Sequence, residues 1–274
     1  LWTAVGLFNL LLFIPMLWIL PPLSDGRRSL WFYFDGGDVN SYSPHIWSTL
    51  AILALVVIGV ALLWMSALPD FAMVRDRAPE GWKKRWAKRL ARGWIGSSAQ
   101  WNMQKHRLGI LGAFYFMMLI FVHFLVSMDF LITLVPGWID ALFPITHAAN
   151  GLQAGIATVM LTIWALYKFG GYSDYIEYDQ IWALGKLLFA ASLLWFWFWF
   201  SSFNIFWYGK KPDEQAIIEL LMTGPYRWAF FGVFFFNFIF PMWTMMWNPV
   251  RRSTWGPPII ATSVLIGTFL DRIR

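Results

Sequence analysis

Long apolar runs alternate with short polar segments along this chain, and the runs are the length of membrane-crossing helices. A hydrocarbon layer about 30 Å thick takes about 20 mostly apolar residues of helix to cross. Seven runs meet or approach that length: residues 1–20, 46–68, 108–133, 142–166, 181–207, 226–247 and 257–270. The last is short and ends at Asp271, Arg272 and Arg274. The pattern predicts an all-α integral membrane protein, a multi-span transmembrane helix bundle of about seven spans forming one domain over residues 1–274. The first run opens at Leu1 with no charged flank and no small-residue cleavage site behind it, so the expected bundle is amino-terminally incomplete.

Composition agrees with this reading. Hydrophobic residues make up 59% of the 274 positions and charged residues 13%, against about 45–50% and about 25% in soluble domains. Cys is absent, which excludes disulfides, thiolate metal sites and iron–sulfur ligation by this chain.

The net charge of +6 reports topology and lipid attraction rather than nucleic acid. Ten of the 21 Lys and Arg lie between Arg75 and Arg107, so this loop should be cytoplasmic. Alternation then places residues 35–45, the Val135-Pro136-Gly137-Trp138 turn and residues 210–227 on the opposite face. Within the basic segment, at about 69–107, Trp82, Trp86, Leu90 and Trp94 recur every four residues among Lys83, Lys84, Arg85, Lys88, Arg89 and Arg92. That spacing describes an interfacial amphipathic helix. A solvated basic loop that enforces topology is the compatible alternative. The aromatic run from Leu194 to Phe200 reads as lipid-facing or interhelical packing.

An ionisable or strongly polar group inside a span is costly and therefore a candidate for function. His123, Ser127 and Asp129 lie in the third run, His147, Asn150 and Gln153 in the fourth, Lys186 and Asn204 in the fifth, and Asn237 in the sixth. The Val-Pro-Gly-Trp turn would make the third and fourth runs antiparallel neighbours, with His123, Asp129 and His147 in the same half of that pair. Six residues separate His123 from Asp129, about 240° around an α-helix, so the two do not stack vertically. Three chemistries can use such a set: proton acceptance from a quinol, haem ligation by two His, or a proton or solute pathway. Hydrogen bonding between helices is the structural alternative, and it is also the expected role of Asn204 and Asn237. Lys186 can reach the membrane surface by snorkelling.

The stretch from His123 through Ser127 and Asp129 to Pro136-Gly137-Trp138 resembles the span-turn-span signature of the NrfD/polysulfide-reductase membrane-subunit family. It is closest to the two NrfD-like subunits of alternative complex III, a quinol:electron-acceptor oxidoreductase. Leu68-Pro-Asp70 to Arg77 and Arg92-Gly-Trp94 to Trp101 look like the family's basic loop, and Gly185-Lys186-Leu-Leu-Phe-Ala and Trp207-Tyr208 to Glu214 are similar to the less studied of the two paralogues. The resemblance covers most of residues 46–274. It implies a subunit of eight to ten helices in a bacterial inner membrane that binds no haem or iron–sulfur cluster itself. Its implied partners are an iron–sulfur subunit, a cytochrome c subunit and a second NrfD-like membrane subunit, with quinol shared in the complex. Asp129, His123 and His147 become the candidate quinol or proton-transfer residues. One departure bears on the site: the first run has no His, and Ser48 stands where the quinol-oxidising member has an Asp. The alternatives are a quinone-free structural or proton-conducting paralogue and a solute or ion transporter.

Overall fold

A computed structural model of the chain describes residues 44–132 and 140–273. The run at 1–20, most of the 35–45 loop and the Val135–Trp138 turn lie outside the described residues. The chain divides between Leu134 and Val135 into two compact units. Among the described residues every regular element is helical.

The first unit is built on one antiparallel helix pair. Helix α1 spans Pro44–Ser66, with proline at its first position, where no helical N–H is needed. Two short helices follow, α2 at Leu68–Arg77 and α3 at Trp82–Leu90, and then the long helix α4 at Ser98–Val126, which continues through one π-helical turn, π1, at Ser127–Leu131. The α4 start is set by its sequence: Ser97 accepts from the N–H of Gln100, while the Gln100 Oε1 accepts from the N–H groups of Ile95 and Gly96 at 2.9 and 3.0 Å. This is the reciprocal capping of a Ser-x-x-Gln start, displaced slightly upstream. Ala51, Ile52 and Leu55 of α1 recur on one face and close against Val122 of α4, with Tyr115, Met118 and Leu119 around them. At the far end, Gln104 donates to the Met65 carbonyl at 2.6 Å, which fixes the antiparallel register.

The second unit holds three long apolar helical segments and a shorter apolar helix. Helix α5 runs Phe143–Phe169, α6 Tyr178–Gly209 and α7 Pro212–Met222. The next span is composite: α8 at Arg227–Phe234, a second π-turn, π2, at Phe235–Ile239, and α9 at Phe240–Met245. A short turn, α10 at Asn248–Arg251, leads to α11 at Gly256–Leu270. Contacts fix the directions. Asn150 near the start of α5 meets Asp271 after α11, and Trp164 near its end meets Thr254 before α11, so α5 and α11 are antiparallel. Tyr178 at the start of α6 donates to the carbonyl of Ser253, so α6 runs with α11. Their core is Ile156, Ala157 and Met160 against Leu188, Met245, Ile260 and Val264. A second, aromatic layer sets Trp195 and Trp199 against Phe230 and Phe238, with Phe196 stacked on Phe238 at 3.7 Å.

Five helical segments are long and apolar enough to cross a membrane: Trp47–Ser66, Ser98–Leu131, Phe143–Phe169, Tyr178–Gly209 and Arg227–Met245. They correspond to five of the seven runs. The final run forms α11, a shorter apolar helix of 15 residues, about 22 Å long and less than the hydrocarbon thickness. The protein is therefore an all-α, multi-pass membrane protein. The 210–227 segment, expected as a loop, contains α7, entered through Lys210 in the left-handed region (φ 50°) and Pro212. The expected amphipathic helix is present but stops at Leu90. Arg92 and Gly93 both take positive φ, 41° and 72°, and this reversal folds Trp94 inward against Ala72 and Ala91. Trp94 therefore does not share the outward face of Trp82 and Trp86.

Candidate functional site

In the first unit the polar side chains gather where α1 begins and α4 ends. Ser48, in the second turn of α1, is 1% exposed and donates its hydroxyl proton to the Asp129 carboxylate, which is 8% exposed. Asp129 sits at the centre of π1. A π-turn carries an extra residue relative to the α-helix, so side chains beyond it are rotated away from the face that 100° spacing assigns. Asp129, inside the turn and seven residues after Val122, keeps the α1-facing side that regular spacing gives it. The positive end of the α1 dipole faces the same region and favours a carboxylate there.

His123 lies one turn before π1. Its Nδ1 bonds to the Leu119 carbonyl at 2.9 Å, and Ser127 donates to the His123 carbonyl at 2.7 Å. A carbonyl can only accept, so Nδ1 carries a proton. The structure thus brings Ser48, His123 and Asp129 into one unit. His147, the third expected member, belongs to the second unit, so the grouping of three is described only in these two parts.

The second unit holds a polar column of its own. His147, Asn150 and Gln153 recur every third residue along α5, spanning about 9 Å of helix rise. His147 stacks on Phe143, with ring centroids 6.2 Å apart, and meets the Arg272 guanidinium. Asn150 donates to the Asp271 carboxylate at 2.5 Å, and its own Oδ1 accepts from Thr268 at 3.2 Å and Asn237 at 3.4 Å. Gln153 donates to Ser192 at 2.8 Å and to the Asn237 carbonyl at 2.9 Å. Asn150, Gln153, Ser192 and Asn237 are each 0% exposed.

A backbone fault explains much of this column. Pro241 has no N–H and cannot serve the carbonyls one turn earlier. The Asn237 carbonyl receives Gln153 instead, and the neighbouring Phe236 carbonyl receives the Ser263 hydroxyl at 3.0 Å. Gly267 permits the close approach: a Cβ there would stand 2.2 Å from the Asn237 Oδ1 and 3.0 Å from its backbone nitrogen.

At the α5 start Asp140 is 8% exposed and accepts from the Leu142 N–H at 2.9 Å. Burial pushes its carboxyl above the usual aspartate range. The Leu142 and Phe143 N–H groups and the Ser202 hydroxyl pull against this, and the Glu214 charge adds to it. Lys186 lies over the Trp182 ring at 3.9 Å, a cation–π contact that sequence reasoning did not anticipate. Asp271 was also missed as a site residue, because it sits at the end of an apolar run and its partner Asn150 is 121 positions away. Among the described residues no cluster of three or more His, Cys, Asp or Glu is arranged to hold a metal ion.

Compared with protein-family models and with curated proteins, the chain matches none.

Proposed function

We propose that this chain is an NrfD-like membrane subunit of a quinol-oxidising electron-transfer complex of the alternative complex III type. The observation that carries the reading is the buried Ser48–Asp129 contact on a π-turn at the end of a span. The resemblance matches Asp129 to a quinol-site Asp; Ser48 departs from the second Asp of that pattern, and its hydroxyl bonds to Asp129. A carboxylate held in a largely apolar helix pair is costly to keep there, and proton exchange gives it a purpose.

Oxidising a quinol releases two electrons and two protons. In this reading, as the resemblance implies, the electrons pass to an iron–sulfur partner, with a cytochrome c subunit and a second NrfD-like subunit completing the complex. Asp129 accepts a proton while the Ser48 hydroxyl orients its carboxylate, and the His123 imidazole is the second candidate proton-transfer group within the unit. The concentration of Lys and Arg at the α2–α3 end supports a cytoplasmic side for that end, in a bacterial inner membrane under this reading. The Asp129 end then faces outward, toward the partners that take the electrons.

The test is Asp129→Asn in the assembled complex, which retains shape and hydrogen bonding but removes the titratable proton. Quinol oxidation should fall by about 100-fold, within the usual range for general acid–base catalysis, while the subunits still copurify. Full turnover in an intact Asp129→Asn complex would end the proposal. A second reading, the proton-conducting paralogue, is favoured by the column from His147 to Gln153. It predicts that Gln153→Leu lowers proton translocation while leaving electron transfer unchanged.

A further inference from the structure

We propose that the α2–α3 hairpin is a binding surface selective for anionic glycerophospholipid headgroups. The proposal rests on the membrane-spanning fold alone and is independent of the quinol reading. Helix α2 begins at Leu68, two residues after α1 ends at Ser66, so the hairpin starts where a span reaches the membrane surface. It is fastened there. The Trp64 indole donates to the Leu90 carbonyl at 3.2 Å, the Arg92 guanidinium lies 5.0 Å over the Trp64 ring, and Trp94 meets Trp101 edge-on at 5.1 Å.

Helix α3 divides its surface three ways. Ala87, followed by Ala91, is buried against the protein. Trp82 and Trp86, four residues apart on a different face, are 65% and 55% exposed. Arg85, Lys88 and Arg89 are exposed around the remaining arc. Two large aromatic rings left uncovered on a nine-residue helix are the mark of a helix lying in an interface, where an indole sits at headgroup depth. Each ring carries its own cation: Lys83 lies 5.8 Å from the Trp82 centroid and Arg89 5.7 Å from that of Trp86. The indoles fix the depth and the cations hold positive charge at the level of the lipid phosphates.

Charge complementarity names the occupant. From Arg75 to Arg107 there are ten Lys and Arg against two acids, Asp76 and Glu80, and both acids are engaged locally, by Arg75 at 2.7 Å and Lys84 at 2.5 Å. The excess positive charge lies beside exposed indoles. A nucleic acid would meet the same cations but gives Trp82 and Trp86 no reason to be paired on one face beside the end of a span.

The absence of Cys makes single-site labelling clean. In the full chain reconstituted into vesicles containing phosphatidylglycerol, a nitroxide at Trp86→Cys should be reached by oxygen and shielded from an aqueous nickel chelate. One at Lys88→Cys, about 200° further round the helix, should show the reverse. Spin-labelled phosphatidylglycerol should associate about threefold to fivefold more strongly than phosphatidylcholine, as attraction of about one lipid charge to surface Lys and Arg implies. Replacing Lys83, Arg85, Lys88 and Arg89 together with Gln should bring that ratio close to one. Equal nickel access at positions 86 and 88 would overturn the proposal and leave a solvated loop or a surface for another macromolecule. Full selectivity in a folded quadruple variant would overturn it as well.

Discussion

Ser48 and Asp129 make contact across 81 positions of sequence, and the bond between them is the smallest unit on which function can be tested. Ser48→Ala removes the donor and leaves the hole a hydroxyl filled. A hydrogen bond to a charged group contributes about 1.5–3 kcal/mol, so thermal unfolding in detergent should show a loss approaching that size. Ser48→Thr should restore most of it. An unchanged midpoint for the Ala variant would mean that the contact carries little energy. Asp140 supplies a separate residue-scale test through pH. In the unfolded chain it titrates near an ordinary aspartate value, about 3.9, and burial places the folded value higher. Between the two values the native state holds a proton that the unfolded state has released. Its contribution to stability is therefore complete below the usual aspartate pKa and lost as pH rises through the raised one. Asp140→Asn keeps an acceptor for the Leu142 N–H and ends the titration, so the variant should match the parent at low pH and exceed its melting temperature above the window. A parallel pH profile for the two proteins would contradict the assignment. The costly polar residues were visible in the sequence because they interrupt apolar runs. Their partners were not, since a partner such as Ser48 lies on another helix, 81 positions away in the sequence.

Helices α8 and α9 read as one continuous span in the sequence, and the structure divides that span around π2. The two side chains that serve the carbonyls stranded by Pro241 come from different helices, Gln153 of α5 and Ser263 of α11. Apolar periodicity locates a helix and its buried face. It does not say which neighbour repairs a backbone fault. Gly267 is the position where this repair is most sensitive to volume. A methyl group there would press on both the side chain and the backbone of Asn237. Gly267→Ala should therefore cost about 1–3 kcal/mol, the usual range for overfilling a packed site, despite the better helix propensity of alanine. Equal or higher thermal stability would show that α11 can shift without loss. The amphipathic pattern had a similar limit. It located α3, but the left-handed pair Arg92-Gly93 ended the helix before Trp94 could join the outer face.

For the whole molecule, the five long apolar helices and the helical class were legible because hydrocarbon thickness sets a length that periodicity and composition can meet. Orientation rests on charge and is open to direct measurement. Under the cytoplasmic assignment of the α2–α3 end, a Cys placed at Lys88 should react with an impermeant thiol reagent only after the cells are opened. A Cys at Glu219, in the short helix α7 beyond Gly209, should react from outside. The opposite pair of results would invert the topology.

The stranded carbonyls of Asn237 and Phe236 also bear on biogenesis. During synthesis α5 emerges before the α8–α9 span and can offer Gln153 at once, whereas Ser263 belongs to α11, the last described helix to leave the ribosome. Until α11 arrives, the Phe236 carbonyl lacks the side-chain donor it has in the finished unit, and hydrocarbon offers no substitute. The hydrogen bonding of this span is thus completed by a later segment. A chain stopped after Arg252 should leave the span poorly held and exposed to membrane quality-control proteases, and supplying α11 as a separate polypeptide should restore its lifetime.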